Sequence, residues 1–219
     1  MLILAGQTET VIDLIIAQID NGEILPGAPI DEKVLMELCG VSRTPVREAM
    51  IRLETLGLSQ RSSRKGITLF KPTIPEFLTI LEVNANLESF AAGLAAQRIT
   101  APQSDELNAV IKACEAHATR YRNTKHAEYY QLNMQFHEII IRAASNEVLS
   151  DMIQINARKL MSYYRSRYRL PNASIQSAQE HREIGGFILE GQSAEASAAM
   201  LEHFNYDRQT VMDLISAGE

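Results

Sequence analysis

Between Asp31 and Phe70 the chain spells out a short helix, an abrupt stop, a second helix and a two-stranded hairpin, and no other stretch constrains the fold so strongly. Asp31 is placed to cap the first of these helices, with Ile30 packing back onto Leu35, and Gly40 ends it. The next helix runs from Ser42 to about Leu56, with Ser42 or Thr44 as cap and Pro45 in the first turn, where no amide hydrogen is needed. Val46, Ala49, Met50, Leu53 and Leu56 recur at helical spacing and form its buried stripe. Arg43, Arg47 and Arg52 fall largely outside that stripe, with Arg43 and Arg47 one turn apart. Beyond Gly57, residues 58–61 and 67–70 read as strands around Ser62-Ser63-Arg64-Lys65-Gly66, so the hairpin has a basic tip. Arg64 and Lys65 suit phosphates or a minor groove, whereas Gly66 serves backbone geometry.

The charge distribution sharpens this reading. The whole chain of 219 residues carries a net charge of -6. Residues 40–71 nevertheless hold seven basic side chains (Arg43, Arg47, Arg52, Arg61, Arg64, Lys65, Lys71) against two acidic ones, Glu48 and Glu54. A basic module therefore sits on an acidic body, as expected of a nucleic-acid reader. The alternative, an amphipathic helix whose arginines are merely solvated, does not account for the ordered stop, cap and wing.

Leu25-Pro26-Gly27, Val41-Ser42-Arg43-Thr44-Pro45-Val46-Arg47-Glu48-Ala49, Leu53-Glu54 and Gly57-Leu58 resemble the GntR family of bacterial regulators over about residues 7 to 70. The resemblance implies a winged helix-turn-helix over residues 1–72 that binds double-stranded operator DNA as part of a homodimer. Ser42, Arg43, Thr44 and Arg47 are then the expected base-reading or phosphate-positioning residues. Lys33, Arg52, Arg64 and Lys65 are expected backbone contacts, with Gly66 at the wing.

Outside this module the pattern is helical. A first helix spans roughly 7 to 21, where Val11, Leu14, Ile15 and Ile19 recur at helical spacing. From Thr73 onward no strand pattern or repeat appears. Capping boxes open at Thr73 with Glu76 and at Thr100 with Gln103. Further helices cover about 125 to 144, 147 to 168, 174 to 190 and 193 to 215, punctuated by Ser145-Asn146, Pro171-Asn172 and Gly191. With 46% apolar residues, the chain can fill two cores. The expected architecture is mainly α, a winged helix-turn-helix followed over residues 73–219 by an all-α helical bundle.

Three histidines lie on apolar stripes of three different helices: His137 with Leu132, Phe136 and Ile140, His181 with Ala178, Ile184 and Ile188, and His203 with Ala196, Met200 and Thr210. Each needs a buried partner. Asn133 precedes His137 by one turn. Three imidazoles and one side-chain oxygen converging in a bundle suit a divalent metal, although a single core histidine is ordinarily just hydrogen-bonded.

Asn133-Met134-Gln135-Phe136-His137, Ala144-Ser145-Asn146, Glu180-His181-Arg182 and Met200-Leu201-Glu202-His203 are similar to the FCD effector domain of the FadR subfamily. This resemblance implies an antiparallel bundle that binds a divalent metal, zinc or nickel, through Asn133, His137, His181 and His203. It also implies a small-molecule effector, an organic acid or sugar acid, and a repressor that releases DNA when the effector binds. Two residues depart from the family pattern. Asn133 stands where aspartate is usual, and Asn84 stands where an arginine usually precedes the Leu87-Glu88 pair and helps bind an acidic ligand. Losing one anion and one cation from a single cavity would preserve its charge balance. The effector's charge partner would then be Arg142 or another arginine.

Other conspicuous features read more plainly. The basic and tyrosine-rich stretch Arg158 to Arg169 reads as a solvated helix end rather than a second nucleic-acid surface. His117 and His126 sit in polar surroundings, and Met134, Met152 and Met161 fill core gaps. Cys39 and Cys114 have no partner at metal-ligand spacing, which fits a reducing cytoplasm. The apolar opening Met1-Leu2-Ile3-Leu4-Ala5 lacks the basic flank of a targeting segment, and no apolar run is long enough to span a membrane. Enzyme chemistry finds no Glu-x-x-His pair, no His-Glu-x-x-His and no glycine-rich phosphate loop. A protein-interaction module using the wing is the remaining rival.

Overall fold

The structure, a computed structural model, describes residues 2–62, 66–122 and 124–205. The chain divides into two compact units at the Thr73–Ile74 junction.

The first unit contains α1 (Leu2–Asn21), α2 (Glu32–Cys39), α3 (Arg43–Thr55), β1 (Ser59–Ser62) and β2 (Gly66–Leu69). Its core is made by Val11, Ile12, Ile15 and Ile19 of α1, Leu35 of α2, and Val46, Ala49, Met50 and Leu53 of α3. The Asp31 carboxylate accepts from the backbone N–H of Lys33 at 2.8 Å and of Val34 at 3.4 Å, so it caps α2 as its position implied. Gly40 closes α2 in the left-handed region at φ 63°. The strands pair antiparallel with Ser59 opposite Leu69 and Arg61 opposite Ile67. Backbone N–H groups of Gly27 and Ile30 reach the carbonyls of Leu69 and Ile67, each at 2.9 Å, and tie the 27–30 loop to β2. Leu56 corrects the predicted stripe: α3 ends at Thr55, Leu56 becomes the cap residue, and its side chain is exposed.

The second unit is helical throughout its described residues: α4 (Ile74–Arg98), α5 (Ala101–Tyr121), α6 (His126–Ala143), α7 (Glu147–Arg167), α8 (Ala173–Leu189) and α9 (Ser193–His203). α4 is the hub, packing against α6, α7, α8 and α9. Its run Ala91-Ala92-Gly93 is buried and small enough for α9 to approach closely. The Ser193 hydroxyl donates to the Gly93 carbonyl at 2.7 Å, and Ser89 donates to the Ser197 carbonyl at 2.8 Å. The Gln103 side-chain oxygen accepts from the Thr100 N–H at 3.0 Å and fixes the start of α5. Asn146 caps α7 by accepting from Leu149 N–H at 3.1 Å. No helix among the described residues is long and apolar enough to cross a membrane.

Candidate metal centre and nucleic-acid interface

α6, α8 and α9 each bring one histidine to the interior of the second unit. His181 is fully buried, His203 nearly so, and His137 keeps a tenth of its side chain exposed. Their ring centroids are 5.0 to 5.5 Å apart, and one ligating nitrogen from each lies within 4.8 Å of the others. His181 stacks on Phe136 with centroids 3.9 Å apart, which fixes its plane.

Carboxylates on other helices settle the orientation of two imidazoles. His137 donates its Nδ1–H to Oε2 of Glu88 on α4 at 2.5 Å, and Oε1 of Glu88 accepts from the Asn84 amide at 2.8 Å. His203 donates its Nδ1–H to Oε2 of Glu180 on α8 at 2.6 Å. Arg167, at the end of α7, donates to that same oxygen at 3.4 Å. With Nδ1–H committed, the Nε2 lone pairs of both rings remain for a ligand.

His181 is oriented by a different device. Its Nε2 lies 3.4 Å from Ser177 Oγ, which lies 3.3 Å from the Tyr168 hydroxyl, which donates to Oδ1 of Asn133 at 2.7 Å. Running in one direction, from His181 N–H to Asn133, this chain leaves Nδ1 of His181 as a lone-pair donor. That nitrogen is buried and has no hydrogen-bond partner. Burial, then the neighbouring His203, His137 and Arg167, hold the His181 pKa well below the ordinary imidazole range. His203 is held down likewise by burial, Arg167 and His137. Both rings are neutral at neutral pH, the form that binds a metal.

The donor set fits a divalent cation of the zinc or nickel kind. It comprises three imidazole nitrogens, two of them with outward N–H groups on carboxylates and the third an orphaned buried nitrogen. Asn133 is buried one turn before His137, and its oxygen is tied to the His181 chain. Asn84 is fully buried, reaches the cluster through Glu88, and leaves Oδ1 without a hydrogen-bond partner. The two departures from the family pattern thus both border the histidines. Arg142 does not join them: it lies half exposed on the outside of α6, paired with Glu106 of α5.

Several neighbours of the cluster escaped sequence reasoning. Arg167 and Tyr168 correct the expected solvated helix end, because both are buried beside the histidines, and Arg165 lies 5.0 Å over the Tyr130 ring. Glu180 adjoins His181 in sequence yet serves His203. The His117 side chain is 9% exposed and packed between Tyr121 and Tyr129, with the Glu128 carboxylate 3.6 Å from its Nε2, so its surroundings are polar on one side only. Of the three methionines, Met161 is buried but Met152 is half exposed.

In the first unit, Ser42, Arg43, Thr44 and Arg47 are all exposed around the N-terminal end of α3. The Ser42 side chain makes no capping bond to the helix. Arg47 reaches Glu32 at 3.8 Å with most of its side chain in solvent. Lys33 is exposed in the first turn of α2, and Arg52 forms an ion pair with Glu9 of α1. Gly66 starts β2 at φ 71°, a conformation that favours glycine, while Arg64 and Lys65 lie outside the described residues. Cations at the positive end of a helix suit a phosphate backbone.

Comparison with known proteins agrees with both units. Residues 79–206 match the FCD domain, and residues 7–69 match the bacterial regulatory proteins of the gntR family. The chain is 29% identical over 201 residues to YdhC, an uncharacterized HTH-type transcriptional regulator of Bacillus subtilis, with 91% of this chain and 88% of that one covered. It is 27% identical over 206 residues to the HTH-type transcriptional regulator LutR of the same species, covering 84% and 92% respectively. Among solved structures, McbR/YncC of E. coli shares the fold with a TM-score of 0.77 at 19% identity, covering 96% of this chain and 97% of that one. Some FCD domains bind metals, and these relatives are regulators of transcription rather than enzymes. Because the two matches coincide with the two structural units and the FCD match alone spans more than half of the chain, this protein belongs to the GntR family of DNA-binding transcription regulators, in the FadR-like branch that carries an FCD domain.

Proposed function

We propose that this protein is a cytoplasmic, homodimeric repressor that leaves its operator when a small organic or sugar acid enters the helical unit. In the same reading, His137, His181 and His203, with Asn133 as the uncharged fourth donor, hold zinc or nickel there. The observation that carries the second half is the gathering of three buried imidazoles whose N–H groups are bonded away from one another's lone pairs. A bound cation would supply a positive centre for an acidic effector.

The chain's own residues supply the rest. Asn84 Oδ1, buried and without a partner, is the acceptor for a hydroxyl or amide of the effector. Glu88 and Glu180 keep two imidazoles in the ligating tautomer. Arg142 would reach the effector only by leaving Glu106. For DNA, Ser42, Arg43, Thr44 and Arg47 of α3 enter the major groove. Lys33, Arg52, Arg64 and Lys65 take phosphates, with Gly66 shaping the wing. A dimer presents two such helices to a palindrome, and an effector preferring a second dimer geometry shifts the population away from the DNA-binding one.

The test is a titration of the purified chain against its own upstream DNA, with and without zinc and a panel of sugar acids and hydroxy acids. Sequence-specific binding released by one acid supports the reading. Equal, weak binding to all DNA fragments at low salt refutes it.

A further inference from the structure

We infer that Tyr168 is a positioning residue for the metal centre: its one phenol proton holds Asn133 in place and, through Ser177, sets which nitrogen of His181 is free to ligate. The inference rests on the metal reading above and adds a residue from outside the ligand set, with the means by which it acts.

Tyr168 is the cap residue of α7, with φ -72° and ψ -4°, so its ring leaves the helix where the chain turns toward α8. That turn is pinned on both sides. The Leu170 N–H donates to the Arg167 carbonyl at 3.0 Å, and the Ser174 hydroxyl donates to the Arg122 carbonyl at 2.8 Å. Tyr168 is 3% exposed and rests against Tyr129 and Tyr130, with ring centroids 4.9 and 6.4 Å away. Packing of this kind fixes the ring and aims its polar end. The hydroxyl lies between α6 and α8, 2.7 Å from Asn133 Oδ1 and 3.3 Å from Ser177 Oγ.

Proton counting then fixes the direction of the chain. Asn133 Oδ1 carries no proton, so the Tyr168 O–H points at it. The Tyr168 oxygen is left to accept, which takes the single proton of Ser177. Ser177 Oγ, 3.4 Å from His181 Nε2, must then accept from that nitrogen. His181 therefore bears its proton on Nε2 and keeps its lone pair on Nδ1, the buried nitrogen without a hydrogen-bond partner. His137 and His203 are locked in the opposite sense by Glu88 and Glu180, with Nδ1 protonated. An ionised carboxylate can only accept, so each of those locks works alone. A hydroxyl gives or takes, so the His181 lock borrows its direction from the far end, the Asn133 oxygen. One phenol thus couples two members of the donor set that stand on different helices, and the second lone pair of Asn133 Oδ1 stays available to a cation. Loss of the phenol hydroxyl loosens both residues, whereas loss of the Ser177 hydroxyl loosens His181 alone.

The experiment uses the full-length chain with two variants, Tyr168→Phe and Ser177→Ala. Imidazole nitrogen NMR shifts of the zinc-free proteins at about pH 8, where the rings are neutral, report each tautomer directly. Calorimetry with zinc reports affinity. In the unaltered chain His181 should be the Nε2–H tautomer, with His137 and His203 both Nδ1–H. Each variant should turn His181 into a mixture of tautomers and leave His137 and His203 as they are, a change that a general loosening of the bundle would not confine to one ring. Zinc affinity should fall about ten- to hundredfold in Tyr168→Phe and by less in Ser177→Ala. An Nδ1–H tautomer at His181 in the unaltered chain overturns the inference, and so does a Tyr168→Phe variant in which either readout is unchanged. If Tyr168→Phe does not fold, the unaltered chain and Ser177→Ala decide it by the same two readouts. Absence of zinc binding to the unaltered chain defeats the metal reading together with this one, whereas zinc binding indifferent to Tyr168 defeats this one alone.

Discussion

Glu180 and His203 are joined across two helices by a 2.6 Å hydrogen bond in which the imidazole Nδ1 donates to the carboxylate. The bond fixes which nitrogen of His203 keeps its lone pair, and Glu88 does the same for His137. Replacing either carboxylate by its amide, Glu88→Gln or Glu180→Gln, should lower zinc affinity about ten- to hundredfold. Competition against a chelating dye measures this. Unchanged affinity in both variants would remove these carboxylates from the site.

Asn133 gives a prediction of the opposite sign. Asn133→Asp places a charged oxygen where the neutral one now accepts from Tyr168, and a carboxylate can still take that bond. Zinc should bind at least about tenfold tighter, as expected when a ligand gains a full charge. Weaker binding would show that residue 133 does not contribute a donor oxygen.

Arg43 and Arg47 project from the exposed end of α3, away from the Val46, Ala49, Met50 and Leu53 stripe that packs the unit. Arg43→Ala and Arg47→Ala should each cost about 1 to 3 kcal/mol of specific operator affinity if the arginine reads a guanine, with helicity and melting unchanged. Fluorescence anisotropy on operator and scrambled duplexes separates lost specificity from lost phosphate attraction.

Stability of the metal-free protein should depend on pH through His181 and His203. Both have pKa values pushed well below the ordinary 6.5 by burial, so the native state stays uncharged while the unfolded chain takes up protons. Stability is therefore fully present above about pH 6.5. Below it, stability falls by up to about 1.4 kcal/mol per pH unit for each histidine, until the depressed native values are reached. Urea melts between pH 7.5 and about 5 in the presence of a chelator measure the slope. A flat profile would mean that these rings are accessible to protons in the folded chain.

The two cysteines should react very differently. Cys114 is fully buried on α5, and burial aided by Glu115 pushes its thiol up to about 12. Cys39 is partly exposed at the end of α2. A thiol reagent at neutral pH should label Cys39 alone in the native protein and both after unfolding. Native labelling of Cys114 would indicate that α5 opens readily.

Much of the first unit was legible because its signals are local. Asp31, Gly40 and the Ser42-x-x-Pro45 start act within a few residues of themselves, and the structure uses Asp31 and Gly40 as caps. Even there Leu56 strayed, since periodicity does not say at which turn a helix stops. In the second unit, periodicity placed His137, His181 and His203 on inward faces. It could not say which faces of other helices would meet them. Glu88, Glu180 and Arg167 reach the cluster only through tertiary packing, and a basic stretch rich in tyrosine looks the same whether water or Asn133 lies opposite. Ser177 and Tyr168 carried no signal beyond the spacing of their own helices.

The amide at position 133 has a consequence for what the regulator can perceive. A nest of uncharged donors grips a dication less firmly than one containing a carboxylate, so under the proposed function its filling would follow supply instead of saturating early. If the proposed acid effector is captured only by the filled nest, transcription downstream would answer to abundance of trace element and effector together, a coincidence detector written in one amino acid.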